Sequence, residues 1–343
     1  MVENFKIRLQ GAIPTKNCGT SLASSLYAKG MTILLTGNLG AGKTTFLQGF
    51  AQGLRIKQDL CSPTYALEQR YRTEQWGELL HIDLYRLSKD AAHELIESSE
   101  GHEGIRCIEW ADRLHMPPSD PLITIHFAEE GKEEREAAFT FHDIALPTEA
   151  QVHAWREELK LTKNVVAHCN KVGAVAQECA RAFLAQGRIA RPAALMRAGQ
   201  LHDLFRFLDF HPGSAHLNTE VTAQQQAHWE AVRSDYSGAS HELACAAFLR
   251  KRGFPAIAQM VETHGMKGGT PVTTEQKLLF YADKRVVLDR VVSLEERFRD
   301  FAMRYGDGKE SPQSVTWLRE CRQMEQELFP DGPPALTEWE IDD

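Results

Sequence analysis

Residues 37–44 read Gly-Asn-Leu-Gly-Ala-Gly-Lys-Thr, a glycine-rich run of the form G-x-x-x-x-G-K-[ST]. Gly37, Gly40 and Gly42 open backbone conformations closed to other residues, so that several N–H groups, those of Asn38, Leu39 and Ala41 among them, can approach phosphate oxygens. A helix starting near Lys43 adds the positive end of its dipole. Lys43 then reaches the β- and γ-phosphates, and the Thr44 hydroxyl, followed by Thr45, is placed to bind Mg²⁺. ATP and Mg²⁺ are the cofactors this pattern calls for.

A phosphate loop needs acids if it is to hydrolyse what it binds. Asp83 follows the apolar run Leu79-Leu80-His81-Ile82, and Glu109 follows Ile105-Arg106-Cys107-Ile108. In an open α/β sheet the ligand lies outside the carboxyl ends of the strands, so both acids can face one metal. One would hold Mg²⁺ and the other orient the attacking water.

The part of the chain beyond Pro147 holds eight of the 14 histidines. His202-Asp203 sits inside the helical run that includes 194–201, with His168 on the preceding helix and Asp283 on a later one. Imidazole and carboxylate ligands from separate helices suit Fe, Mn, Zn, Ni or Mg better than calcium. A divalent metal there would serve phosphate-ester hydrolysis.

The elements that must carry these residues can be placed from periodicity. Residues 31–35 are apolar and β-branched, a buried strand entering the loop, and 45–54 have helical spacing with Phe46, Leu47, Phe50 and Leu54 on one face. Phe5, Ile7 and Leu9 mark a strand, and a helix is expected around 20–28. Residues 61–67 form a turn into a strand; 78–86 and 104–110 are strands ending in acids; 122–127 and 137–141 form an antiparallel pair around the charged turn 129–136. Pro147 marks a change to helices at 151–161, 164–186, 193–207, 224–232, 241–252, 255–264, 274–294 and 311–328. The expected organisation is an α/β P-loop domain over 1–147, with a mostly parallel sheet and antiparallel edge strands, a linker over 148–160, an all-α domain over 161–329 and a flexible acidic tail over 330–343.

Hydrophobic content of 43% and charged content of 25% are ordinary for a globular protein, and a net charge of −8 argues against broad nucleic-acid binding. Contact with RNA through a local patch or a partner remains compatible. No stretch approaches the roughly 18 apolar residues of a membrane span, and no signal peptide is expected at the N-terminus. Seven cysteines with no C-x-x-C pair fit reduced thiols in the cytoplasm.

The set formed by residues 37–45, Ser62-Pro63-Thr64-Tyr65, residues 81–87 and Ile108-Glu109-Trp110 resembles the TsaE family, bacterial ATPases needed to make threonylcarbamoyladenosine on tRNA. The resemblance covers about residues 5–145. It implies that 62–65, including Thr64, is a switch-like segment, that Thr44 and Glu109 hold Mg²⁺, that Asp83 assists hydrolysis and that Trp110 lines the site. It also implies a partner, the TsaD–TsaB transferase complex, through which tRNA is reached indirectly. The segment between Leu87 and Gly104 is more polar than the family pattern.

His168, His202-Asp203 and Asp283, in that order, are similar to the HD-domain phosphohydrolases over about 160–305. His241 and His264 match the two extra histidines of the two-metal subgroup, in which Asp203 would bridge the metals. Arg206, three residues past Asp203, would share its helical face and clamp a phosphate oxygen, helped by Lys284 or Arg285. His211, His216 and His228 have no assigned role. The expected substrate is a nucleotide or other phosphate ester. Two further readings are a helical domain that senses nucleotides without turnover, and an N-terminal half that is a small-molecule kinase; against the kinase, no lid-like insertion carrying arginines is evident.

Overall fold

The structure is a computed structural model. It describes every residue except 1, 29, 120, 132, 211–220, 266–268, 306–310 and 337–343. His211, His216 and half of the acidic tail, residues 337–343, lie outside the described residues. The chain divides into two compact units, one of residues 1–145 with 184–190, the other of 146–183 with 191–343.

The first unit is built on a seven-stranded sheet. Its strands are β1 (Glu3–Gln10), β2 (Thr32–Gly37), β3 (Glu68–Arg72), β4 (Glu78–Asp83), β5 (Ile105–Glu109), β6 (Leu122–Glu129) and β7 (Glu134–Phe141), in the spatial order β1-β7-β6-β2-β5-β4-β3. The four central strands β6, β2, β5 and β4 run parallel; β7 pairs antiparallel with β6 and β1 antiparallel with β7 on one side, and β3 antiparallel with β4 on the other.

A parallel strand buried on both faces reads as an unbroken apolar run, as 31–35 does. Ile33 and Leu35 join a core shared with α1 (Ala12–Ala23) and α2 (Lys43–Gly53), whereas Leu34 turns to the other face. That second face is covered by α3 (Lys89–Ser98), which presents Ala92 and Ile96 to Leu80, Ile82 and Ile108. Ser88 caps α3 through the amide of Ala91. The polar segment 87–104 thus carries a helix that apolar spacing alone does not reveal. The first helix also begins earlier than expected, at Ala12 rather than near 20, because Gly11 (φ 80°) turns the chain straight out of β1.

The second unit contains α4 (Glu149–Glu158), α5 (Lys163–Ala185), α6 (Pro192–Leu201), α7 (Ala223–Asp235), α8 (His241–Lys251), α9 (Pro255–Val261), α10 (Thr274–Lys284), α11 (Leu294–Tyr305) and α12 (Pro312–Leu328). Residues 148–160, expected as a linker with a helix over 151–161, carry that helix as α4. Thr148 and Gln151 close a capping box at its start, and Trp155 is buried with its ring edge-on to Phe248 and Phe254. The helix expected to run from 274 to 294 stops at Lys284 and is followed by a two-stranded hairpin, β8 (Val286–Val287) and β9 (Arg290–Val291). The unit is therefore helix-rich rather than wholly α. Among the described residues no helix is long and apolar enough to cross a membrane.

Candidate active sites

In the first unit the turn from β2 into α2 brings the predicted loop residues together. Gly40 and Gly42 adopt φ 84° and 112°, left-handed conformations that favour glycine. Gly42 is the residue before α2, and no side chain caps the helix. Leu39 and Gly40 are exposed at the tip of the loop while Ala41 is buried, so the loop is anchored on one side and open on the other. Lys43 is buried; its Nζ donates to the carbonyls of Gly37 (2.7 Å) and Asn38 (2.9 Å) and lies 3.9 Å from the centre of the Trp110 ring. Burial lowers its pKa, opposed by the nearby Glu109, Asp83 and Asp112 carboxylates.

Asp83 and Glu109 stand directly opposite each other at the ends of β4 and β5, and Glu109 is paired in turn with Leu35 of β2. Thr44 Oγ1 donates to both oxygens of Glu109, at 2.8 and 3.0 Å. Asp83 accepts from Ser62 Oγ (2.8 Å), Thr64 Oγ1 (2.6 Å) and the Tyr85 amide (2.9 Å). The two acids thus have separate surroundings, one tied to the helix N-terminus and the other to the segment 62–65. A hydroxyl and a carboxylate are oxygen donors of the kind Mg²⁺ prefers, so this donor set fits the ion. Thr45 sits in the first turn of α2 and is half-buried.

In the second unit the structure brings His168, His202, Asp203, His241, His264 and Asp283 into one cluster. His168 comes from α5, His202 and Asp203 from the end of α6, His241 from the start of α8, His264 from just past α9, and Asp283 from α10. His202-Asp203 does not lie within a helix, as expected, but in the turn that ends one: α6 stops at Leu201. This lets two adjacent residues face the same cluster. Gly173 on α5 and Gly199 on α6 allow the helices to meet there, since a Cβ on Gly199 would lie 2.4 Å from the Gly173 Cα.

The ring orientations share a pattern. His168 Nδ1 donates to the Leu288 carbonyl (2.9 Å), His202 Nδ1 to Gly199 (2.7 Å) and His264 Nδ1 to Val261 (2.6 Å), while His241 Nδ1 faces Asp209 Oδ2 (2.8 Å). A carbonyl only accepts, so in these three rings Nδ1 carries a proton and Nε2 turns inward toward the carboxylates, the orientation of metal-ligating histidines. His168 Nε2 lies 3.1 Å from Asp283 Oδ1, and His241 and His264 Nε2 each lie 3.3 Å from Asp203 Oδ1. His202 Nε2 and Asp203 Oδ1 are buried without a hydrogen-bond partner. Burial opposes ionisation of Asp203, but the His202 and Arg206 charges and the His241 and His264 imidazoles facing it outweigh this and hold the carboxyl well below its usual range. Burial likewise opposes ionisation of Asp283, which Lys284, His168, His202 and Arg297 hold low. Inward-facing imidazoles, ionised carboxylates and orphaned buried atoms together fit a divalent cation.

Arg206 departs from its expected place. It opens a 3₁₀ turn over Arg206–Asp209 instead of sharing a helical face with Asp203, and its Nη1 lies 3.2 Å from Asp209 Oδ2 and 3.4 Å from His241 Nε2. Lys284 Nζ donates to Asp283 Oδ2 (2.5 Å) and to the His264 carbonyl (3.0 Å). Arg285 turns away, to the Val292 carbonyl, Tyr281 and Glu325.

Known proteins are similar to the first of these two units. The family model described as "Threonylcarbamoyl adenosine biosynthesis protein TsaE" matches residues 9–137. A tRNA threonylcarbamoyladenosine biosynthesis protein TsaE of Nostoc sp. is 39% identical over 137 residues, covering 38% of this chain and 83% of the relative. Its counterpart from Bacillus subtilis is 31% identical over 128 residues, covering 37% and 80%. The crystal structure of Bacillus subtilus YdiB covers 41% of this chain and 87% of its own, at 32% identity and a TM-score of 0.33.

The chain belongs to the TsaE family.

The TsaE-family unit contains one participant to which the motifs gave no role. His81 is wholly buried on β4, and its Nε2 lies 2.9 Å from Glu109 Oε1, on the side of the carboxylate that Thr44 also uses. A lone polar residue in the apolar run 79–82 was the available signal. In the helical unit, Asp209 and Glu242 were missed. Asp209 meets His241 only through the fold, whereas Glu242 is the sequence neighbour of His241, and that adjacency was the available signal.

Proposed function

We propose that residues 1–147 form a Mg²⁺-dependent ATPase that supports N6-threonylcarbamoyladenosine (t6A) synthesis on tRNA with a TsaD–TsaB transferase complex. We propose further that residues 161–329 form an HD-type phosphohydrolase acting on a nucleotide or another phosphate ester. The printed names of the relatives, tRNA threonylcarbamoyladenosine biosynthesis proteins, support the first part. The observation that carries it is the bond from Thr44 to both oxygens of Glu109 at the start of α2. Thr44 and Glu109 would hold Mg²⁺, whose charge offsets that of the β- and γ-phosphates. Lys43 leaves the loop carbonyls to bind those phosphates, Asp83 orients the attacking water, and Trp110 closes the side of the site beside Lys43. Hydrolysis of ATP by the full chain, accelerated by adding TsaD–TsaB, is the expected result; Mg²⁺-independent turnover or none at all would refute this reading.

For the helical unit the carrying observation is the common orientation of four histidines, each with Nδ1 turned outward and Nε2 inward. His168, His202, Asp203 and Asp283 would hold one divalent Fe, Mn, Ni or Zn ion, with His241 and His264 serving a second through Asp203. Such an ion lowers the pKa of its water and polarises a phosphoryl oxygen. Arg206 supplies a cation at the edge of the cluster for a phosphate oxygen. The test is phosphate release from a panel of nucleotides by the full chain carrying Lys43→Ala, which silences the first site. Activity with an added transition metal that is lost in Asp203→Ala supports the assignment; equal activity in both chains would sink it.

A further inference from the structure

We propose that Glu242 is a ligand of the second divalent cation, completing with His241, His264 and the shared Asp203 a carboxylate-rich position. This rests on the reading of the helical unit as a metal site and adds a residue to it. Glu242 lies in the first turn of α8, directly after His241, and is 3% exposed. One ligand atom from each of His241, Glu242 and His264 can be chosen so that all lie within 4.8 Å of one another. Its Oε2 is buried with no hydrogen-bond partner. That oxygen lies 3.3 Å from His241 Nδ1, but Asp209 sits closer to that nitrogen, at 2.8 Å, and takes its proton. An ionised carboxylate oxygen left bare in the interior is costly unless a cation faces it.

The chain also makes room for this carboxylate. A Cβ on Gly265 would fall 1.9 Å from Glu242 Oε1, so a side chain at that position would displace this carboxylate. Asp203, Asp283 and Glu242 together bring three negative charges to two dications, leaving net positive charge to attract a phosphate ester. Two imidazoles with carboxylates suit Mn²⁺ or Fe²⁺.

The experiment uses the full chain loaded with Mn²⁺ in the absence of nucleotide, desalted, and read by elemental analysis and electron paramagnetic resonance. The wild type is expected to keep about two ions per chain in an exchange-coupled pair, and Glu242→Gln about one with an uncoupled six-line signal. Two coupled ions in Glu242→Gln overturn the proposal and leave the six-residue site standing. A single ion in the wild type overturns the second position, and no ion overturns the metal reading as well. Should Glu242→Gln fail to fold, Glu242→Asp retains the charge one methylene shorter; a loss of coupling at unchanged melting supports the proposal, and a wild-type spectrum overturns it.

Discussion

Thr44, in the first turn of α2, donates its hydroxyl to both oxygens of Glu109 at the end of β5, 65 residues further along the chain. The bond exists because β5 is the parallel neighbour of β2, with Leu35 and Glu109 in register. The strand that delivers the phosphate loop and the strand that delivers the acid therefore end side by side. His81, from the next parallel strand, fixes the same carboxylate from a second direction. Three elements thus hold one acid, and its geometry is set before any ligand arrives.

Glu109→Gln keeps the shape of that side chain and removes its charge. ATP hydrolysis is expected to fall roughly hundredfold or more, the scale of losing a preorganised electrostatic group. The Mg²⁺ concentration giving half-maximal rate should rise, while binding of Mg²⁺-free nucleotide stays near that of the wild type. Phosphate release titrated with Mg²⁺ decides it, and an unchanged Mg²⁺ dependence would remove Glu109 from the metal.

Asp83 plays a different part, because its partners lie in the segment 62–65. It accepts from Ser62, Thr64 and the Tyr85 amide. An asparagine has a single acceptor oxygen and cannot serve all three. Asp83→Asn should lower kcat by about a hundredfold with little change in KM. Hydrogen exchange of amides 61–66 should rise at the same time. Protection equal to wild type alongside lost activity would mean that Asp83 does not position this segment.

The first unit was largely legible because its signals are local. An apolar strand, a glycine loop and a helix adjoin in sequence, and each acid ends its own apolar run. What the sequence hid was set by distant packing. The helix α3 buries only Ala92 and Ile96, two positions that a polar sequence conceals. The end of α10 is marked by neither glycine nor proline; Leu288 itself takes φ 56° in the hairpin that follows, and its carbonyl orients His168. The order of the histidines and aspartates could be read along the chain. Asp209 was recognisable only once the 3₁₀ turn had been brought against His241 at the start of α8.

The glycine contact between α5 and α6 is a point where packing and site meet. Gly199→Ala would push a methyl group into Gly173, at a cost of about 1–3 kcal/mol from overpacking. The carbonyl of Gly199 also orients His202, so the two effects should appear together. A lower melting temperature accompanied by reduced metal content is expected. Full metal content would show that His202 is oriented independently of this contact.

Trp155 tests whether α4 is part of a core. Its ring is buried against Phe248 and Phe254, and Arg252 stacks on Phe248 while reaching Glu158. Trp155→Ala should destabilise by about 3–5 kcal/mol, the range for emptying an aromatic site. A loss below about 1 kcal/mol in denaturant unfolding would return residues 148–160 to the status of a linker.

Removing the metal gives the most direct view of the helical cluster. A cation that binds only the folded chain stabilises it by about 2.7 kcal/mol at a hundredfold excess over its dissociation constant. The sign follows from the cluster itself: His202 Nε2 and Asp203 Oδ1 are buried without partners, so the folded state gains a contact that the unfolded chain lacks. Chelator should therefore lower the melting temperature of the wild type, and re-addition of Mn²⁺ or Fe²⁺ should restore it. Asp203→Ala should melt at the same temperature with and without metal, because the carboxylate that both His241 and His264 face has gone. Calorimetry of the full chain resolves these cases. A wild type indifferent to chelator while free of bound metal would mean that the cluster is held together by its own ion pairs and binds no cation.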